Sequence, residues 1–114
     1  MARIRCITEM GMGVDVHGRD ATKAAKRAVS DAIRHSSLGF FRMIGTANDM
    51  FVDVTIAVPN PEAVDKDAVA KELPYGTVTV NAVKGGLEIP SATEVANDPI
   101  LIANAAVIVS FDKD

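Results

Sequence analysis

The chain has 114 residues, of which 48% are hydrophobic and 24% charged, and its formal net charge is −3. This composition excludes a disordered or fibrous chain, and a chain of this length buries roughly two-thirds of its unfolded surface, so we expect one domain over residues 1–114. No basic cluster, aromatic stacking platform or apolar run long enough for a membrane helix occurs, so neither nucleic acid nor a membrane is an expected partner. A single cysteine and the lack of a signal-peptide pattern predict a cytoplasmic protein.

The first half of the chain predicts a strand, a loop and a helix. Residues 3–10 alternate with a period of two, with Ile4 and Met10 on the same side, which is typical of a strand. A glycine-broken loop follows, and Asp20 is predicted to cap a helix that runs to about His35, because small apolar residues recur on one helical stripe. Residues 36–49 show no lasting period and predict a connection.

The second half predicts three further strands and one short helix. Residues 49–58 alternate most clearly, residues 64–73 indicate a short helix, and residues 77–83 indicate a third strand that residues 87–89 resume after two glycines. Ser91 and Glu94 have the spacing of a capping box, and residues 105–111 close as a fourth strand. We therefore expect an α+β fold, a two-layer sandwich in the order β-α-β-α-β-β, with a four-stranded mixed sheet and both helices on one face.

The sheet face away from the helices is predicted to meet another copy of the chain. Asp53 and Thr55 share this face on the second strand, and Thr79 and Asn81 share it on the third. Few charges protect it from self-association, so we expect a homo-oligomer.

The strand-to-helix segment over residues 9–25 is the predicted functional site, because it gathers several chemically capable side chains around glycines. The hypothesis assigns catalysis to Glu9, His17 and Lys23. It assigns ligand binding to two groups of residues, one in this segment and one at a later strand break: Gly11, Gly13, Asp15 and Asp20, with Gly85 and Gly86.

The chemistry of this segment is left open by the sequence. A nucleotide loop is disfavoured, since the dinucleotide fingerprint needs glycine where Val16 stands and Asp20 puts negative charge at the helix start. Glu9, Asp15, His17 and Asp20 form a plausible ligand set for Mg²⁺, Mn²⁺ or Zn²⁺, whereas histidine equally suits proton transfer near neutral pH. The same side chains can also do no more than hold a sharp turn. The cofactor is left unknown, and whether the chain is an enzyme is undecided.

The string EMGMGVDVHGRDATKAA, with GGLEIP and NAAVIV later in the chain, closely resembles the Lin-type family of short conserved hypothetical proteins. More remotely, the order of elements is similar to one repeat of the ring-opening amidohydrolases, the cyanuric acid hydrolase and barbiturase group, which join three repeats and use Ser-Lys pairs. Thr55 and Ala57 stand where such a lysine is expected, and no serine follows Gly86, so the pair is missing here. This second resemblance implies a trimer-like assembly with sites between subunits.

Together these features predict a cytoplasmic homo-oligomer that binds a small polar metabolite at a subunit interface, with hydrolase-type chemistry as one reaction class open to it. The alternative is a non-catalytic structural or regulatory subunit. In that case the segment over residues 9–25 only fixes a turn.

Overall fold

A computed structural model describes residues 2–34, 50–73, 76–90 and 98–113. The predicted connection over residues 36–49, the helix end at His35 and the capping box at Ser91 and Glu94 lie outside these ranges. The described residues form five strands, two α-helices and a 3-10 turn at Pro61–Ala63. Their bounds are β1 Ala2–Asp15, α1 Ala21–Arg34, β2 Met50–Val58, α2 Lys66–Ala70, β3 Thr77–Lys84, β4 Leu87–Ile89 and β5 Ile100–Lys113.

The strands form one mixed sheet in the order β1-β5-β2-β3, with β4 paired to the start of β5. Strands β2 and β3 are parallel and the other pairs are antiparallel. The predicted α+β class is confirmed, but the four-strand count and the order β-α-β-α-β-β are wrong. The segment Leu87–Ile89 pairs with β5 instead of resuming β3, because the chain turns at Gly86, whose φ is +66°.

The first and last strands of the chain, β1 and β5, are longer than the sequence pattern indicated. Strands β1 and β5 each have 14 residues and pair with each other from Ala2 opposite Lys113 to Asp15 opposite Leu101. The predicted loop is therefore wrong between residues 11 and 15. Pairing with β5 gives these residues strand hydrogen bonds, and this outweighs the weak preference of glycine against strands. A register shift between Arg5 and Ile7 also moves Ile4 and Met10 to opposite faces of the sheet.

Helix α1 packs unusually close to β1 because both surfaces are small. Gly11 and Gly13 lie beneath the helix, and a Cβ on either would come within 3.0 Å of backbone atoms of Ala28. The helix face towards the sheet is made almost entirely of alanine; its buried residues are Ala21, Ala24, Ala25, Ala28, Val29 and Ala32. These residues, the inward valines of β2 and Val69 of α2 share one hydrophobic core.

The opposite side of the sheet, which we call the open face, is not covered by any helix of the described ranges. Among the described residues it carries exposed apolar side chains, including Met10 at 73%, Met12 at 54% and Val83 at 47% exposure. No described helix has the length and apolar character needed to cross a membrane.

Candidate functional site

Asp15, the last residue of β1, holds the turn that leads to α1. Its side chain is only 2% exposed, and Oδ2 accepts a hydrogen bond of 2.9 Å from the backbone N–H of Asp20. Oδ1 lies 3.9 Å from Nη1 of Arg27, which also donates to the carbonyl of Val14. A buried carboxylate needs such partners, so Asp15 is engaged in closing the turn.

Asp20 caps α1 as the sequence predicted. Its Oδ1 accepts a hydrogen bond of 3.0 Å from the backbone N–H of Lys23, which satisfies one of the free donors in the first helical turn. The carboxylate of Asp20, like that of Asp15, therefore accepts a hydrogen bond from the backbone.

The residue that the sequence did not point to is Asp98, directly before β5. Its Oδ1 accepts a hydrogen bond of 2.7 Å from the backbone N–H of Gly18, and its Oδ2 lies 2.9 Å from Nδ1 of His17. The Gly18 N–H first, and then the His17 hydrogen bond, hold the pKa of Asp98 below its ordinary value. Since 81 positions separate His17 from Asp98, only the fold brings them together. The single local signal is Pro99, which stands between Asp98 and the first residue of β5 and favours extended backbone at the residue before it.

The contact with Asp98 orients His17. An ionised carboxylate only accepts hydrogen bonds, so Nδ1 must carry the proton and the neutral imidazole keeps its lone pair on Nε2. The His17 side chain is 84% exposed, so the other ring nitrogen is open to solvent. A carboxylate that fixes the tautomer of an accessible imidazole is an arrangement suited to proton transfer or to binding a polar ligand.

A second ion pair ties the same turn to β4. Arg19, which has a φ of 50°, places Nη2 at 3.5 Å from Oε1 of Glu88, and both side chains are close to half exposed. Gly85 and Gly86 shape the connection before β4: the Gly85 N–H donates to the carbonyl of Val58, and Gly86 leaves no room for a Cβ beside Ile102. These two glycines allow the chain to turn into β4, which carries Glu88 to Arg19.

The structure does not gather all of the predicted site residues. Glu9 lies six residues before Asp15 on β1, which is roughly 20 Å at the rise of a strand, and so sits beyond Gly11 towards the far end of α1. Lys23 is exposed and lines a groove of about 440 Å³ between α1 and α2, together with Asp20 and the ion pair of Lys26 with Glu72.

The predicted ligand set for a metal is likewise dispersed. Within the described ranges, no three His, Cys, Asp or Glu side chains converge in a way that would hold a metal ion. The carboxylates of Asp15 and Asp20 instead face backbone donors. What the fold assembles is a smaller unit, namely an oriented histidine with Asp98 behind it and the Arg19–Glu88 pair in the same turn region.

Comparisons with known proteins place this chain among uncharacterised relatives. A family model described as "Conserved hypothetical protein (Lin0512_fam)" matches residues 5–109. The chain is similar to a protein from Nostoc punctiforme PCC 73102 whose crystal structure is described as that of an FtsZ-like protein of unknown function. The two sequences are 42% identical, the similarity covers 99% of each chain, and the TM-score is 0.87. No curated protein matches.

Proposed function

Because the chain belongs to the Lin0512 family of conserved hypothetical proteins, we propose from its own geometry that it is a homo-oligomer which binds a small polar metabolite beside the β1–α1 turn. In this proposal His17 transfers a proton to or from the bound molecule, and hydrolase-type chemistry is the reaction class we favour. The observation that carries the proposal is the contact of His17 with Asp98, which leaves Nε2 accessible as a base.

Charges near the turn support a polar ligand. Lys23 contributes a cation on the wall of the groove between α1 and α2, and Arg19 presents a half-exposed guanidinium on the turn itself. Guanidinium and ammonium groups recognise carboxylates and phosphates, so an anionic or strongly polar metabolite is the favoured class. The groove does not include His17 among its lining residues. A neighbouring subunit is therefore proposed to complete the cavity over the exposed imidazole.

Self-association is supported by two features, namely the exposed apolar residues of the open face and the edges of strands β1 and β3 that pair with no other described strand. Met10, Met12 and Val83 are about half to three-quarters exposed on the open face, apolar surface that a second copy of the chain would cover. Within the described ranges, strands β1 and β3 lie at the two ends of the strand path β1-β5-β2-β3, and each has an unpaired edge. Side chains of α1 bind part of the β1 edge, since the Met12 N–H donates to Asp31. We propose that the β1 edge of one copy pairs with the β3 edge of the next and that three such contacts close a ring, the trimer-like assembly predicted above.

The second candidate is a non-catalytic structural or regulatory subunit. It is favoured by one observation: Asp15, Asp20 and Asp98 each accept a hydrogen bond from a backbone N–H, so each has a role in holding the turn. No comparison shows the similarity to one repeat of the ring-opening amidohydrolases, which stays a hypothesis. Cytoplasmic location stays a prediction.

A paired variant experiment separates the two candidates. The protein is first screened by NMR against pools of small carboxylic acids, amides and phosphates, and each bound compound is followed for turnover. We expect shifted amide signals at residues 17–23, sedimentation as an oligomer, and turnover about a hundredfold lower in His17→Gln. Arg34→Gln is the matched control, because it introduces the same residue at the exposed last position of α1, roughly 20 Å along the helix from its first turn. A stable monomer at micromolar concentration with no response at the turn, or His17→Gln with unchanged turnover, would contradict the proposal.

A further inference from the structure

A separate cavity lies on the open face, at the opposite end of β1 from the turn. It has a volume of about 230 Å³ and is lined by Arg3, Arg5, Asp53, Ile108 and Ser110. Arg5 on β1 and Phe51 on β2 both lie opposite Ser110 on the strand between them. Ser110 therefore forms the floor, with arginines on one side and Asp53 on the other. Ten residues of β1 separate Arg5 from Asp15, roughly 30 Å, so this cavity is separate from the site proposed at the β1–α1 turn.

The floor of the cavity contains an unsatisfied polar group. Ser110 is only 4% exposed, and its Oγ has no hydrogen-bond partner. A hydroxyl can donate one hydrogen bond and accept two, and leaving it buried without a partner is unfavourable. Alanine would fit this small site without that cost. Ser110 lines the cavity, so a small movement of the side chains over its Oγ would let a bound molecule satisfy the hydroxyl.

The walls of the cavity carry charges of opposite sign. Arg3 spans the central strand: its guanidinium lies 3.7 Å from the centroid of the Phe51 ring, and Nε is 3.8 Å from Oδ1 of Asp112. This arrangement fixes Arg3 above the floor by a cation–π contact and a loose ion pair. Arg5 and Asp53, in contrast, make no hydrogen bond or ion pair with any other residue of the described ranges. The cavity thus presents a free cation on β1 and a free anion on β2.

The distance between these two charges sets the kind of ligand. Strands β1 and β2 lie on either side of β5, so their backbones are roughly 10 Å apart; Arg3 crosses this gap to reach Phe51, whereas Arg5 and Asp53 stay unpaired within the described ranges and leave room for a bridging molecule. The volume is below that of a typical drug-sized pocket, which indicates a small ligand. A single anion would leave Asp53 unpaired, and a single amine would leave Arg5 unpaired.

We propose that this cavity binds a small zwitterion that carries a carboxylate and an ammonium group. Its carboxylate pairs with Arg5 and accepts a hydrogen bond from the Ser110 hydroxyl, with Arg3 providing further positive charge. Its ammonium group pairs with Asp53. The apolar side chain of Ile108 contacts the carbon chain between the two charged groups.

The test uses ω-amino acids of increasing length as probes. The intact protein is titrated with glycine, 4-aminobutyrate and 6-aminohexanoate by NMR, and the acid-only and amine-only analogues of the tightest binder follow. We expect saturable binding of at least one zwitterion with a Kd on the order of 1 mM, and at least tenfold weaker binding of both analogues. The shifted signals should lie at Arg5, Asp53 and Ser110.

Matched variants assign the contacts. Arg5→Met and Asp53→Asn are each expected to weaken binding about tenfold, and Ser110→Ala several-fold. Arg34→Met and Asp67→Asn make the same chemical changes at exposed positions of α1 and α2 and should leave binding unchanged. Circular dichroism confirms that each variant is folded. The proposal is overturned if no zwitterion saturates, if the acid-only analogue binds as tightly as its parent, or if folded Arg5→Met and Asp53→Asn both bind normally.

Discussion

Replacing Gly13 by alanine tests whether α1 rests directly on the backbone of β1. An added Cβ would come within 3.0 Å of the carbonyl oxygen of Ala24 and the amide nitrogen of Ala28, and would lie 2.8 Å from the carbonyl carbon of Arg27. These are backbone atoms in the middle of a helix, so no side-chain rotation relieves the contact. The helix must move away from the strand.

The cost of that movement can be worked from the interface. Relief needs roughly 1 Å of separation, and a gap of that size forfeits a quarter to a half of the dispersion attraction across it. The buried alanines of α1 share the interface, so the loss is spread along the helix. Overpacked cores typically lose 1–3 kcal/mol, and we expect the upper end, about 3 kcal/mol. Total stability for a chain of this size is about 5–15 kcal/mol, so the melting temperature should fall by about 10–20 °C.

Urea unfolding followed by circular dichroism measures this loss, and an unchanged m-value would show that the same surface unfolds. Gly18→Ala is the control. Gly18 also has a demanding backbone, with a φ of +97°, but its nearest neighbour is Oδ2 of Asp15 at 4.0 Å, so only backbone strain of about 1 kcal/mol is expected.

A second-site change distinguishes backbone contact from side-chain crowding. Ala28→Gly removes a methyl group but leaves the amide nitrogen in place, so it should not rescue Gly13→Ala and should itself cost about 1 kcal/mol. Rescue by Ala28→Gly, or a loss below about 1 kcal/mol for Gly13→Ala alone, would refute the close approach of helix and strand.

Three further predictions concern single side chains. Because the pKa of Asp98 is lower in the folded protein, the stability that its carboxylate contributes is fully present above the unfolded value of 3.8 and is lost as the pH falls through the lower folded value. The Gly18 amide should lose hydrogen-exchange protection in that acidic range. Asp98→Asn should remove this loss of Gly18 protection at low pH. Asp20→Ala removes the cap of α1 and should cost about 1 kcal/mol in urea unfolding, with an unchanged stability arguing against the cap. Ser110→Ala should keep or raise the free energy of unfolding in the absence of ligand, since its Oγ has no partner, and a loss of more than about 1 kcal/mol in urea unfolding would show a bond to that hydroxyl.

Local patterns predicted most of the elements. The periods of two over β2 and β3 and the alanine stripe of α1 are properties of neighbouring residues, so they survive folding and were read correctly. The cap at Asp20 is local in the same way. His17 lies in an exposed turn between β1 and α1, and its role as a site residue stays a prediction.

The strand count and the site composition depended on contacts between distant residues. Glycine in a sequence indicates a loop, whereas Gly11 and Gly13 stay in β1 because β5 supplies paired hydrogen bonds and α1 needs their small size. In the same way, His17 and Asp98 are 81 positions apart, and the Arg5–Ser110–Phe51 row joins three strands. Sequence alone determined the fold class, the main helix and the turn, because these follow from short-range periodicity and capping. Only the tertiary structure decided which charges meet, because strand register and helix packing are set by the whole core at once.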